Sequence, residues 1–334
     1  MYDLRLLLAL SSVIAMHAHT PTAESAVAKL AEGRILFLGD SITQAGGYVT
    51  FIEYSLDRAF PKESFDIFGL GLASETVSGL SESVHPFPRP CVHDRLWAAL
   101  DMVKPKTVFA CYGINDGIYH PLSEERFKAF KDGIHKLIAI DRAAGARTIL
   151  ITPPPFDPIA AGNSLRPATA PDFSYMNVYE RYDDVVAEYG RWEMTLSAPD
   201  VQVIDVHTPL LTFVEANRKT DPKFTLSGDG VHINDLGHWI MAKAILTSLG
   251  LAPSTGNGFE GSRTDTAAQD LDAVTKDPVF KLVDKRRRLR SDNWLPYIGY
   301  VRDIAFKTFS VAKAEKEVRE LQERIDQMRR RSKS

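Results

Sequence analysis

The feature that most constrains the fold of this chain is a series of five short apolar segments that lack the alternating polar residues of a half-exposed strand. These segments predict strands at residues 35–38, 65–69, 107–112, 148–152 and 201–206. Apolar residues at helical spacing predict helices at residues 48–60, 92–103, 123–144, 174–196 and 235–249. Such strands are typical of parallel sheets that are covered on both faces. The pattern therefore predicts an α/β fold, a three-layer α/β/α sandwich around a five-stranded parallel, flavodoxin-like sheet.

Polar residues follow several of these strands, and a segment after the last strand carries two more. In chain order these residues are Gly39-Asp40-Ser41, Gly71, Asn115, Asp229 and His232. The carboxyl ends of parallel strands meet at one edge of such a sheet, where ligands bind. We therefore expect these residues to gather at that edge.

The chemistry of these groups suits acyl transfer. The hydroxyl of Ser41 is a candidate nucleophile, which needs a base within hydrogen-bond reach. His232 is the candidate base, and Asp229, three residues earlier, can hold its Nδ1–H and fix the tautomer. The backbone N–H groups of Ser41 and Gly71 and the side-chain amide of Asn115 are candidate donors to an oxyanion.

This constellation resembles the SGNH hydrolase superfamily, also called the GDSL esterase/lipase family, over residues 33 to 249. Its four blocks occur in order as Gly39-Asp40-Ser41, Gly71, Gly113-Ile114-Asn115-Asp116 and Asp229-Gly230-Val231-His232. The resemblance implies that Ser41, Asp229 and His232 form a catalytic triad. It also implies that Ser41, Gly71 and Asn115 form an oxyanion hole.

The glycine block of this chain departs from the family pattern in two places. The block often begins with Asn two positions before its glycine, where this chain has Gly69, and its second glycine is Ser74 here. We interpret both as local variation, with Gly71 as the expected donor and Gly69 as the alternative.

The resemblance implies a serine hydrolase that cleaves carboxylic esters through an acyl-enzyme. Small-molecule or carbohydrate esters with small acyl groups, such as acetyl, are the expected substrates, because no long apolar tract suggests a lipid tunnel. A lipase, a thioesterase or an acyltransferase on the same site is the alternative. A non-catalytic carbohydrate-binding module is another, although the complete triad argues against it. A flavodoxin-like nucleotide binder ranks lower, because no glycine-rich phosphate loop follows the first strand.

The remaining polar residues near the strand ends are given structural roles. Asp40 is predicted to cap the turn after the first strand and Asp116 to anchor the loop after the third. His207 and His238 are predicted to be packing or surface residues. His120 is predicted to be structural or solvated, with a place in the substrate cleft as the alternative. The histidines lack metal-ligand spacing on one helix face, so neither a metal nor another cofactor is predicted.

The two cysteines, Cys91 and Cys111, are too few for a disulfide scaffold. Helix and strand lengths place both at the catalytic edge, and we expect two free thiols, with a disulfide as the alternative. The formal net charge of −3 shows no bias toward a polyanion, so nucleic-acid binding is not predicted.

The first 20 residues resemble a secretory signal peptide. Arg5 precedes an apolar run at residues 6–16, and Ala18 stands at a cleavage position. A buried N-terminal helix is the alternative. We expect a secreted or periplasmic protein, and after signal removal no apolar run is long enough to predict a membrane span.

The remaining chain is divided into a hydrolase domain at 30–250, a linker at 251–269 and a helical extension at 270–334. The basic stretch 281–290 is predicted to be a solvated helix face rather than a nucleic-acid site. Residues 293–302 are too aromatic for a free linker, so we expect them to pack on the domain, either rimming the cleft or as plain core.

The last predicted helix carries an apolar stripe at heptad spacing. Its members are Val311, Ala314, Val318, Leu321, Ile325 and Met328. The stripe spans only about two and a half heptads. Intramolecular packing and weak homo-oligomerisation both remain open.

Overall fold

A computed structural model describes residues 23–251, 264–298 and 310–331. Its strands are β1 (Ile35–Gly39), β2 (Ile67–Gly69), β3 (Thr107–Cys111), β4 (Arg147–Ile151), β5 (Leu165–Arg166), β6 (Val178–Tyr179) and β7 (Val201–Ile204). Five of them form one parallel sheet in the order β2-β1-β3-β4-β7, and β5 pairs with β6 apart from it. This topology confirms the predicted five-stranded, flavodoxin-like sheet.

The helices cover both faces of the sheet. Those of the described residues are α1 (Ala23–Ala31), α2 (Ser41–Ala45), α3 (Gly47–Ala59), α4 (Leu96–Val103), α5 (Glu124–Ala143), α6 (Pro158–Ala161), α7 (Tyr182–Glu193), α8 (His207–Arg218), α9 (Asp235–Ser248), α10 (Thr264–Lys276), α11 (Pro278–Trp294) and α12 (Val311–Arg331). Helix α9 packs on α3 and α8, while α4 packs on α5. Phe130 of α5 stacks on Tyr189 of α7, with ring centroids 4.4 Å apart.

The burial of the first three strands explains why their sequences are largely apolar. Every residue of β1, β2 and β3 is buried. Phe37 of β1 lies opposite Phe109 of β3, and their rings stack with centroids 4.5 Å apart. Because β1, β2 and β3 are buried on both faces, a polar residue on either face would lose its water without gaining a partner.

Two predicted helices differ from the structure. The segment predicted as a helix from residue 174 becomes helical only at Tyr182, because the N–H groups of Tyr179 and Glu180 donate to carbonyls of Tyr119 and Arg166. Those bonds tie residues 179–180 to distant segments and prevent an earlier helix start. The predicted helix 92–103 is a 3-10 turn at Val92–Asp94 followed by α4.

Several predictions concern residues that the structure does not describe. The predicted signal peptide at 1–20 and residues 252–263 of the predicted linker lie outside the described ranges. Residues 264–269, also predicted as linker, belong to helix α10, so that part of the prediction is wrong. Among the described residues, none of the helices combines the length and apolar character needed to cross a membrane.

The basic stretch of α11 is buried in part, which corrects the prediction of a solvated face. Arg286 and Arg287 are only 5% and 4% exposed. Arg286 donates to Glu53 of α3 over 2.5 Å, and Arg290 donates to Asp66 over 2.6 Å. Carboxylates of distant segments therefore hold Arg286 and Arg290 against the domain, whereas Arg288 remains exposed as predicted.

The aromatic segment at the end of α11 packs on the domain, as predicted. Trp294, Leu295 and Ile298 are buried, and the Trp294 ring meets Phe68 of β2 at 4.8 Å in an edge-to-face contact. Residues 299–302 of that segment lie outside the described ranges.

The apolar stripe of the last helix packs within the chain. Its buried members are Ala314, Val318, Leu321 and Ile325. Helix α12 lies along α11, and Ile325 packs with Val279 and Val283. Intramolecular packing therefore accounts for the stripe, while homo-oligomerisation stays a prediction.

Candidate active site

The serine at the end of the first strand begins a one-turn helix. β1 ends at Gly39, and the Asp40 carboxylate caps α2 by accepting the Ile42 N–H over 2.9 Å. This bond confirms the capping role predicted for Asp40. Burial raises the pKa of Asp40 to about 7. Ser41, the first residue of α2, is half-buried at the carboxyl edge of the sheet.

Three predicted site residues form one continuous chain of hydrogen-bonding groups. His232 Nε2 lies 2.8 Å from Ser41 Oγ, although the two residues are 191 positions apart. His232 Nδ1 lies 2.6 Å from Asp229 Oδ2. The side chains of His232 and Asp229 are 53% and 55% exposed. A substrate can therefore approach this side from solvent.

The turn that carries Asp229 and His232 fixes their geometry and their protonation. Asp229 Oδ1 accepts the N–H groups of Val231 and His232, which leaves Oδ2 for the imidazole. Partial burial would raise the pKa of Asp229, but the hydrogen bonds from the His232 ring and these N–H groups outweigh it and lower the pKa well below its usual range. The same bond to Asp229 raises the pKa of His232 above 6.5, against a smaller effect of burial.

A buried aspartate, Asp157, holds the loop that carries His232. Asp157 accepts two hydrogen bonds from Arg218, over 2.6 and 2.7 Å, and one from Thr225 over 2.5 Å. Its own N–H donates to the carbonyl of Gly230 over 2.9 Å. Sequence reasoning missed Asp157. The only available signal was its position before Pro158, which is typical of a helix cap, and Asp157 does cap α6.

The loop after β2 lies directly against α2 at Gly71. A methyl group on Gly71 would come within 2.3 Å of Gln44 N and 2.5 Å of the Thr43 carbonyl carbon. Only glycine permits this approach. A methyl group on Gly69 would instead find its nearest neighbour at 3.5 Å. The structure thus places Gly71 rather than Gly69 beside the Ser41 helix, and within the described ranges the N–H groups of Ser41 and Gly71 donate to no other protein group.

The amide of Asn115 is held at both ends. Its Nδ2 donates to the Glu75 carbonyl over 3.2 Å, and its Oδ1 accepts from the Tyr119 hydroxyl over 3.0 Å. Because the Glu75 carbonyl can only accept, the nitrogen must lie on that side. The second hydrogen of Nδ2 is then available to a ligand.

Tyr119 itself sits in an unusual backbone conformation. Ile118 and Tyr119 have φ values of 43° and 62°, a region that non-glycine residues rarely adopt. The Arg89 guanidinium lies over the Tyr119 ring, 5.4 Å from its centroid, and forms a bidentate, buried ion pair with Glu82. Sequence reasoning did not find these residues, because the contact between Arg89 and Tyr119 joins two separate loops.

A second buried ion pair holds the loop that carries Gly71. Arg95 donates twice to the Glu75 carboxylate, each time over 2.6 Å, and once to the Leu70 carbonyl over 2.8 Å. Glu75 therefore fixes the loop through its side chain, and its backbone carbonyl accepts the hydrogen bond from Asn115. Ser74, which replaces the second glycine of the family block, has a φ of 66°, so this position keeps a glycine-like conformation.

The other residues singled out from the sequence have structural surroundings. Asp116 accepts the N–H groups of residues 77, 78 and 113, which confirms its role as a loop anchor. His207 pairs with Asp183. His238 accepts the N–H of Tyr48, and burial lowers the pKa of His238 to about 4.

Three further observations concern thiols, metals and His120. Cys91 and Cys111 are free thiols, as expected. No cluster of three or more His, Cys, Asp or Glu side chains that could bind a metal occurs in the described part of the chain. His120 packs against Phe173, with ring centroids 5.3 Å apart, in keeping with a structural role.

The fold is a three-layer α/β/α sandwich with a serine at the carboxyl end of β1. Residues 37–240 match the GDSL-like Lipase/Acylhydrolase family, and the chain belongs to that family. It is therefore a carboxylic ester hydrolase of the GDSL type. Helices α10 to α12 lie outside the matched residues.

Several solved structures are similar to this chain. A gut microbial diltiazem-metabolizing enzyme is 21% identical, with a TM-score of 0.52, over 66% of this chain and 48% of the other. The chain thus spans about half the length of that enzyme. An acetylxylan esterase from Geobacillus stearothermophilus is 21% identical, with a TM-score of 0.43, over 67% of this chain and 97% of the other. An enzyme from the metagenome of Lake Arreo, Spain, is 22% identical, with a TM-score of 0.45 and the same two coverages, 67% and 97%. Comparison with curated proteins finds no match.

Proposed function

We propose that this enzyme cleaves its ester through a Ser41-His232-Asp229 triad and an acyl-enzyme. The observation that carries the proposal is the continuous path from Ser41 Oγ to His232 Nε2, at 2.8 Å, and from His232 Nδ1 to Asp229 Oδ2, at 2.6 Å. A nucleophile, a base and an orienting carboxylate within hydrogen-bond reach are what this chemistry requires.

In the first half-reaction, Ser41 Oγ attacks the acyl carbon while neutral His232 takes the hydroxyl proton at Nε2. The carbonyl oxygen becomes an oxyanion, which accepts hydrogen bonds from the N–H groups of Ser41 and Gly71 and from Asn115 Nδ2. Loss of one such donor typically costs about 3–4 kcal/mol of transition-state stabilisation. The tetrahedral intermediate collapses when His232 gives its proton to the leaving alcohol oxygen, and the acyl group stays on Ser41.

In the second half-reaction, water takes the place of the alcohol. His232 removes a proton from this water, and the resulting hydroxide attacks the acyl carbon. The bond between the acyl carbon and Ser41 Oγ then breaks as His232 returns the proton to Oγ, and the carboxylic acid leaves. Asp229 stays ionised throughout, because its hydrogen bonds hold its pKa low. It therefore stabilises the imidazolium form of His232 in both steps.

We further propose esters of small acyl groups on hydrophilic alcohols, such as acetylated carbohydrates, as the substrates. The support comes from the open side of the site, where the His232 and Asp229 side chains are more than half exposed. The leaving alcohol departs next to His232, so a bulky hydrated alcohol can extend into solvent there. Secretion or a periplasmic location, which the N-terminal pattern at residues 1–20 supports, fits such a substrate.

The test compares the wild type with Ser41→Ala on p-nitrophenyl acetate, butyrate and octanoate. We expect Ser41→Ala to lower kcat about 10⁵- to 10⁶-fold, as loss of a triad nucleophile does in serine hydrolases. Ser64→Ala, at an exposed serine, is the matched control and should behave as the wild type. Activity retained by Ser41→Ala contradicts the triad, and higher turnover of octanoate than of acetate contradicts the small-acyl proposal.

Product analysis on an acetylated xylooligosaccharide separates hydrolysis from acyl transfer. Release of free acetate supports the hydrolase, whereas mass spectra that show acetyl groups moved to an added sugar favour the acyltransferase. The Ser41→Ala enzyme should produce neither product.

A further inference from the structure

A residue of the C-terminal extension, Arg287, contacts the end of the helix that begins at Ser41. Arg287 of α11 donates from Nη2 to the Ala45 carbonyl over 3.0 Å and from Nε to Thr50 Oγ1 over 2.7 Å. Its side chain is 3% exposed. Arg287 lies outside residues 37–240, which match the family, so this contact is an addition to the matched domain.

The backbone of the α2–α3 junction is shaped to receive the guanidinium. Gly46, between the two helices, has a φ of 68° and donates its N–H to the Ile42 carbonyl. A methyl group on Gly46 would lie 2.2 Å from Arg287 Nη1 and 2.7 Å from Cζ. The guanidinium therefore fills the space that any other side chain at position 46 would occupy.

The hydrogen bond from Arg287 to α2 can affect the position of Ser41, because α2 is only five residues long and begins at Ser41. The last carbonyls of a helix have no partner within it, and Arg287 supplies one for Ala45, four residues after Ser41. The same short helix presents Thr43 and Gln44 to the loop at Gly71. A shift of α2 would thus move the Ser41 hydroxyl and the Gly71 loop together.

Burying the Arg287 guanidinium costs desolvation free energy, which indicates that this charge has a role other than stability. The nearest carboxylate, Asp284 Oδ1, lies 3.5 Å from Arg287 Nη2, and the two short hydrogen bonds of Arg287 go to neutral oxygens. A buried charge with such partners contributes less to stability than an apolar side chain of similar volume would. What the guanidinium does provide is a fixed, planar set of donors that spans α2 and α3.

We infer that Arg287 is a positioning residue for ester hydrolysis, which sets α2 so that Ser41 Oγ meets His232 and the Gly71 loop stays in place. This inference rests on the proposed role of Ser41 as the nucleophile. It makes the C-terminal extension part of the catalytic unit.

The test measures kcat and KM on p-nitrophenyl acetate for Arg287→Lys and Arg287→Gln in the full chain. Endpoint labelling of the active serine with a fluorophosphonate probe counts the competent sites, so that kcat refers to folded enzyme. We expect kcat to fall about 10-fold for Arg287→Lys and about 100-fold for Arg287→Gln, because a displacement of about 1 Å can cost that much. KM should change less than about threefold, since no substrate contact is lost.

Two sets of controls keep the result interpretable. Arg288→Gln removes a neighbouring arginine that is 64% exposed and should leave kcat unchanged. Thr50→Val removes the hydroxyl that orients Arg287 and should lower kcat about fivefold, the value of one hydrogen bond, while Thr50→Ser restores it. The Thr50 pair decides the question if the Arg287 variants fail to fold.

The inference is overturned if kcat per labelled site stays within twofold of the wild type in the folded Arg287 variants, or if Thr50→Val and Thr50→Ser are equally active. Ser41→Ala, measured beside them, distinguishes the positioning role of Arg287 from the role of Ser41 as the nucleophile. An inactive Ser41→Ala with unchanged Arg287 and Thr50 variants removes only the positioning role. Activity retained by Ser41→Ala removes the nucleophile assignment and the positioning role with it.

Discussion

The Tyr119 hydroxyl donates to Asn115 Oδ1 over 3.0 Å, and this bond keeps the Asn115 nitrogen turned toward the Glu75 carbonyl. Tyr119→Phe removes the bond and leaves a buried amide oxygen without a partner. We expect kcat to fall about 5- to 10-fold, the value of one hydrogen bond, because Asn115 becomes a less ordered oxyanion donor. Steady-state kinetics on p-nitrophenyl acetate measure the change.

Tyr175→Phe is the matched control for that substitution. Tyr175 is 40% exposed, so loss of its hydroxyl should alter neither kcat nor stability. Equal activity of Tyr119→Phe and Tyr175→Phe would count against Asn115 as an oxyanion donor that Tyr119 orients.

The hydrogen bond between Asp229 and His232 makes a prediction about pH. A protonated His232 cannot accept the Ser41 proton, so kcat/KM should rise with pH as His232 loses its proton. Because Asp229 raises the pKa of His232, the midpoint should lie above 6.5. Asp229→Asn removes that effect, so the midpoint should move to lower pH while the maximal rate falls about 10⁴-fold.

A pH–rate profile from about pH 5 to about pH 8 checks this prediction, since an ordinary histidine titrates within that range. Glu215→Gln, which removes one exposed negative charge from α8, is the control for a change in net charge. A flat wild-type profile excludes His232 as the base, and an unmoved midpoint in Asp229→Asn excludes the coupling.

The sheet and much of the candidate site could be predicted because their signals are local. Each buried strand is an uninterrupted apolar run, and the residues after β1, β2 and β3 carry the polar groups. Parallel strands place their carboxyl ends together, so the topology alone brings Ser41 and Asn115 to the same edge of the sheet. The three-residue spacing from Asp229 to His232 predicted a turn in which the carboxylate reaches the imidazole, and the 2.6 Å distance between the two side chains agrees with it.

The arginines could not be placed in this way. The sequence shows Arg286 and Arg287 as a charge run, which is typical of a solvated face. Their burial depends on Glu53 and on the Ala45 carbonyl, which lie more than 230 residues away in the chain. The helix expected from residue 174 failed for a related reason, because residues 179 and 180 donate to segments that only the tertiary structure brings near.

Gly71 and Gly69 offer a matched pair that tests the donor assignment. A methyl group on Gly71 would come within 2.3 Å of Gln44 N, so Gly71→Ala must displace the loop or α2. We expect a loss of kcat/KM of about 10²- to 10³-fold, as for removal of one oxyanion donor. A methyl group on Gly69 meets nothing closer than 3.5 Å, so Gly69→Ala should stay near the wild type. A larger loss in Gly69→Ala than in Gly71→Ala reverses the assignment.

The buried Arg95–Glu75 pair predicts a large effect on stability. Arg95→Met would leave the Glu75 carboxylate, which is fully buried, without its cation and the Leu70 carbonyl without its donor. We expect a loss of about 3–5 kcal/mol in the free energy of unfolding, measured by urea denaturation. Arg142→Met breaks an exposed pair with Asp200, which solvent screens, and should lower the free energy of unfolding far less. Since Glu75 also receives Asn115, the folded fraction of Arg95→Met should have a lowered kcat. Equal losses of stability in the two variants would show that the Glu75 loop does not depend on this ion pair.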